Sequence, residues 1–120
     1  MDNPVKEFNA YRSKMNDKIL SENNKIIKRM FNLDTNAFTD GALPKKTKEL
    51  LGLGNSMVLR CDDCIKYHLE TCFNLGLSKE EVVEAMSVSL LIGGTIVIPH
   101  LRKAFAYWEA LENNNETLER

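Results

Sequence analysis

Apolar residues recur every three or four positions along almost the whole chain, and nowhere does sustained alternation replace that rhythm, so packed helices are expected. Val5, Phe8, Tyr11, Met15 and Ile19 mark a first amphipathic helix. A second is expected from about Ser21, read as its cap, through Ile26, Ile27, Met30 and Phe31, until Asp40-Gly41 breaks the pattern. Pro44 suits the first position of a third, which carries Leu50, Leu51, Leu53, Met57 and Val58 and closes at Arg60.

The fourth helix begins near Cys61-Asp62-Asp63, where acidic side chains suit the positive end of the macrodipole, and stops at Gly76, a left-handed cap. Ser78 and Glu81 form a capping box for a fifth, expected to bury Val82, Val83, Met86, Leu90 and Leu91 before Gly93-Gly94. Pro99 sits in the first turn of a last helix, or kinks it, and Leu101, Ala104, Phe105, Trp108 and Leu111 follow. Asn113 to Glu116 is expected to fray. The Thr95–Ile98 run is too brief to define a sheet. Met15, Met30, Met57 and Met86 lie on apolar stripes and are expected to fill the core. The fold class is therefore all-α, about six helices in a single domain over residues 1–120.

A net charge of -1 gives no sign of a nucleic-acid or anionic-membrane surface, and Lys45, Lys46 and Lys48 read as a solvated face. The polar, acidic start lacks a secretory layout, and the uncharged stretch from Ala85 to Pro99 falls short of the roughly 20 residues of a membrane span. A cytoplasmic protein is expected. In that compartment three cysteines do not form a static disulfide framework, whereas a cycling pair is compatible with it.

Cys61 and Cys64 are separated by two residues, and His68 follows one helical turn later. On a helix the three share a face. The helix N-terminus favours a thiolate at Cys61, but His68 is placed to deprotonate Cys64, and Asp62 and Asp63 oppose a charge at Cys61. Cys64 is therefore read as attacker and Cys61 as resolver.

Other readings bear on the same residues. Haem attachment would need histidine where Ile65 stands. A zinc site on Cys61, Cys64, His68 and Cys72 would stretch along about 16 Å of helix, so zinc would need His100 or a second chain. Two buried structural thiols are the plainer alternative. Cys72 reads as core, beside Leu69 and Phe73.

Glu49, Cys61, Cys64 and His68, spaced Glu-x11-Cys-x2-Cys-x3-His, together with Lys46-Thr47-Lys48-Glu49-Leu50, Gly76-Leu77-Ser78-Lys79-Glu80-Glu81 and Gly93-Gly94, resemble the alkylhydroperoxidase D branch of the carboxymuconolactone decarboxylase superfamily. The resemblance covers about residues 40–111. It implies a helical homotrimer or homohexamer with no cofactor, acting on a small peroxide and reopened by a thioredoxin-like or lipoyl reductant. It also implies roles: Glu49 as relay base acting through water and His68, Cys64 as peroxidatic thiol, Cys61 as resolving thiol. Asp63 stands where the best-known peroxidase members carry histidine, which bears on a proton-donor role.

Apart from that resemblance, Glu49 reads as an exposed partner of Lys45. His100 reads as a substrate-pocket residue or a satisfied helix-terminal histidine, and Tyr67 as a hydrogen-bond donor near the thiols or an aromatic packer. Two further functions compete with the thiol peroxidase. A lactone-processing decarboxylase would need a carboxylate anchor, for which Arg60 and Arg102 are the candidates, and a non-catalytic redox sensor would need only the dithiol.

Overall fold

The computed structural model describes residues 3–119, with side chains to residue 114. Six helices follow one another: α1 (Pro4–Ser21), α2 (Lys25–Ala37), α3 (Lys45–Leu59), α4 (Asp62–Asn74), α5 (Lys79–Gly93) and α6 (Ile98–Glu119). A 3₁₀ turn at Thr95–Val97 joins the last two, and no strand occurs among the described residues. The all-α expectation holds.

Helix ends follow local side-chain chemistry, and three differ from the sequence expectation. Asn24, not Ser21, caps α2, because its side-chain oxygen accepts from the amides of Ile26 and Ile27. Ser21 instead ends α1, and Asn23, at φ 57°, turns the chain between the two helices. Pro44 precedes α3 as its cap position and has no side chain to offer, so Asp40 Oδ1 accepts from the Lys45 amide at 2.7 Å in its place. The expected fray at Asn113–Glu116 is absent: α6 runs on to Glu119, and the Asn3 amide donates to the Asn114 side chain at 2.9 Å. The remaining ends match, with Arg60 left-handed after α3, Gly76 at φ 83° after α4, and the Ser78–Glu81 box closed in both directions.

α3 is the central element, packed on both α4 and α5, while α4 packs on α6 and α6 on α1. Leu53 and Met57 of α3 meet Ile65, Leu69 and Cys72 of α4 in a fully enclosed core. Each such side chain stabilises the fold by about 1.5–3 kcal/mol. Phe73 meets Trp108 edge-on at 5.2 Å, which closes the α4–α6 seam.

Two apolar stripes stay outside. Leu91, expected in the core, is 85% exposed, because it lies five residues past Met86 and so points away from the Val82–Met86–Ser89 stripe. No residue of α2 is fully buried, Phe31 is half-buried, and Met30 is 64% exposed. Met57 and Met86 are core as expected, whereas Met15 is only half-buried.

Candidate active site at the α3–α4 seam

α3 buries Glu49, Leu53, Ser56 and Met57, a stripe at spacings of three and four. Its first member is a carboxylate only 1% exposed. Such burial costs several kcal/mol unless the charge finds partners. Glu49 has two: Oε2 lies 2.7 Å from Nδ1 of His68, and Oε1 lies 3.4 Å from Nζ of Lys45. The Lys45 pairing expected from the sequence therefore exists, but Glu49 is not on an exposed face.

His68 lies on the buried stripe of α4 with Ile65, Leu69 and Cys72. Phe38 leans on its ring at 5.1 Å between centroids, and Tyr67 meets it edge-on at 5.3 Å. Phe38 is held there from below, since Lys45 and Lys48 donate to the carbonyls of Phe38 and Thr39. With Nδ1 committed to Glu49, Nε2 is the ring nitrogen with no partner among the described residues. It is the one free to take a proton.

Cys61 and Cys64 are joined as a disulfide, their Cα atoms 5.3 Å apart. Cys61 is the N-cap of α4, and its sulfur accepts from the Cys64 amide at 3.3 Å. The two cysteines are not equivalent. Cys64 is exposed and Cys61 half-buried. Cys64, Tyr67 and His68 line a pocket of about 330 Å³ whose opposite wall is Phe8, Arg12 and Met15 of α1; Cys61 does not line it. Arg12 stacks on the Tyr67 ring, 4.2 Å from its centroid.

The stripe of α1 expected as core divides: Val5 is buried and Phe8 packs against the core, whereas Tyr11 is exposed and Met15 only half-buried. The sequence signal for that division is Tyr11-Arg12, an aromatic beside a cation. His100, a candidate for the pocket, is not among its lining residues. Its Nδ1 instead lies 2.7 Å from Asp62, which Lys103 also contacts at 3.0 Å. The His100 hydrogen bond, against the opposing cost of burial and with help from Lys103, holds the Asp62 carboxyl below its ordinary range. Asp62 is thus compensated, and the expected opposition to charge at Cys61 falls chiefly to exposed Asp63.

Cys72 is fully enclosed, and burial, with the Glu49 charge nearby, pushes its thiol up to about 12. It is inert packing. No group of three or more His, Cys, Asp or Glu among the described residues is arranged to hold a metal ion. Arg60 caps α3, and Arg102 lines a separate hollow on α6, so neither reaches the Cys64 pocket. No helix among the described residues is long and apolar enough to cross a membrane.

Residues 25–110 match the model of the carboxymuconolactone decarboxylase family. An uncharacterised protein of Cupriavidus necator is 31% identical over 62% of this chain and 66% of its own length, just under two thirds of it. The alkyl hydroperoxide reductase AhpD of Corynebacterium kroppenstedtii is 36% identical over 52% of this chain, a match covering 36% of that protein. Among solved structures, one from Thermotoga maritima superposes with a TM-score of 0.91 at 48% identity, covering 93% of this chain and 98% of that one. Another from Thermotoga maritima, of a carboxymuconolactone decarboxylase family protein with possible involvement in antioxidative response, gives 0.89 at 46% identity and covers 95% and 97%. A Legionella pneumophila protein at 24% identity shares the fold, with a TM-score of 0.83 over 92% of this chain and 98% of that one. The chain belongs to the carboxymuconolactone decarboxylase family.

Proposed function

We propose that this protein is a thiol–disulfide oxidoreductase with peroxidase-like activity, in which the Glu49–His68 pair activates Cys64. One observation carries the reading: the exposed residue Cys64 lines a pocket with an imidazole whose Nδ1 is bonded to a buried carboxylate, and it is bonded to Cys61. In the reduced protein, His68 Nε2 accepts the Cys64 proton, and Glu49 stabilises the imidazolium that results.

The Cys64 thiolate attacks the terminal oxygen of a hydroperoxide, the O–O bond breaks, and the departing alkoxide takes the proton from His68 to leave as alcohol. Cys64 becomes a sulfenic acid. The Cys61 sulfur then attacks it, forming the disulfide and releasing water. A dithiol reductant, lipoyl or thioredoxin-like, reopens the bond at Cys64, the more exposed cysteine. Cys61 leaves as thiolate beside the amides at the start of α4, which favour that charge. The AhpD relative and the antioxidative description of the Thermotoga protein support the same chemistry.

The bare stripes of α2 and α5 support assembly into a homotrimer or homohexamer, which light scattering would measure. The enzymatic test is peroxide consumption with a dithiol donor. Cys64→Ser should abolish it, and Cys61→Ser should stall after one turnover as a sulfenic acid. Undiminished consumption by Cys64→Ser would overturn the proposal.

A further inference from the structure

We infer that Gly52 is a positioning residue, the surface against which the His68 imidazole is seated. A Cβ at position 52 would lie 2.7 Å from Cε1 of His68 and 2.9 Å from both Nδ1 and Nε2. Three ring atoms at nearly equal distance mean that the flat face of the imidazole rests on the α3 backbone. No side chain fits there.

The backbone itself does not require glycine. Gly52 is in the interior of α3 and is not among the positive-φ residues, so it costs the helix about 1 kcal/mol relative to alanine with no turn to justify it. Close approach to His68 is the justification. A Cβ there forces one side to move, and the α3 backbone is the more firmly held. Ser56 donates to the Gly52 carbonyl at 2.6 Å, and neighbouring Leu53 is fully buried, which fixes the backbone. The ring is flanked by Phe38 and Tyr67 and bonded to Glu49. Restoring an ordinary carbon–carbon separation of ~3.5–4.0 Å would push the imidazole away by ~1 Å, enough to break a 2.7 Å hydrogen bond.

The consequence for chemistry rests on the functional reading above, in which His68 is the base for Cys64. Gly54→Ala is the matched control: it makes the same propensity change in the same helix but meets only Ser89 Oγ, at 3.2 Å. In fully reduced protein, the alkylation rate of Cys64 with iodoacetamide at pH 7 and the ¹⁵N resonances of the His68 ring are measured together. Gly52→Ala should slow Cys64 at least tenfold and shift the His68 resonances, whereas Gly54→Ala should change the rate less than twofold. Adding Gly52→Ala to His68→Ala should change neither the Cys64 rate nor the Tm beyond the values of His68→Ala itself. Unchanged resonances in Gly52→Ala, or an equal slowing in the His68→Ala background, would overturn the inference. If His68→Ala itself leaves the Cys64 rate unchanged, the functional reading fails, and the ring resonances still decide whether Gly52 seats His68.

Discussion

Two histidines flank the disulfide motif in space, and each shares a hydrogen bond of 2.7 Å between Nδ1 and a carboxylate. Bond length does not separate them, but surroundings do. Glu49 is sealed beneath His68, the His68 ring reaches the Cys64 pocket, and the pair sits where an apolar couple would pack at lower cost. Asp62 is about a third exposed, carries a second partner in Lys103, and lies in the first turn of α4, where a negative charge is already favoured. On the proposed function the first pair is an arrangement for moving a proton, whereas the second pins a helix end and neutralises a charge next to Cys61. Burial of the acid, more than the contact itself, distinguishes chemistry from scaffolding.

The sharpest way to break this contrast is to remove each imidazole in turn. His68→Gln should slow peroxide consumption by about 10²-fold, the usual scale for losing a general base, while His100→Gln should stay within about threefold. Equal losses in a steady-state assay would erase the distinction.

Removing the acids should separate activity from stability. Glu49→Gln is expected to lower turnover about tenfold without lowering the Tm, because a neutral amide is cheaper to bury than a carboxylate. Asp62→Asn should do the reverse, lowering the Tm by about 2–5 °C at neutral pH with turnover nearly intact. Thermal melts beside rate measurements on both variants check this.

The Asp62 pair also sets a pH dependence. Its carboxyl titrates below the ordinary 3.8 in the folded chain, so the folded state releases this proton more readily than the unfolded one. The stabilisation is present in full above that ordinary value and is lost as pH falls through the lower folded one. The Tm gap between wild type and Asp62→Asn should therefore close as pH falls through the acid range; a gap that persists undiminished there would contradict the assignment.

The smallest effect concerns the third thiol. With Cys72 enclosed and its thiol raised to about 12, native reduced protein should lose only two thiols to alkylation at pH 7, and the third only after denaturation.

The sequence made some of this legible and hid the rest for identifiable reasons. Ser78 with Glu81, Gly76 and Arg60 are readable because caps and left-handed turns depend on neighbours in the chain. Glu49 was legible only through the spacing it shares with a known motif, since a glutamate four residues from a lysine looks like a surface pair until its burial is seen. Periodicity shows that Met30, Leu91 and Met15 lie on apolar faces, but not what covers them, so two bare stripes and a pocket wall carry the same signal as core. Ser21 and Asn24 are both good caps, and the choice between them falls to Asn23, whose left-handed turn no periodic signal marks. A helical glycine such as Gly52 is equally silent until its neighbour is known.

The central claim, that peroxide drives Cys61 and Cys64 together while the buried thiol stays out, is tested most directly by peptide mass mapping of reduced protein before and after one equivalent of hydroperoxide. The expected result is loss of two hydrogens confined to the peptide holding Cys61 and Cys64, with Cys72 unmodified. Thiols left intact, or oxidation spread to Cys72, would contradict it.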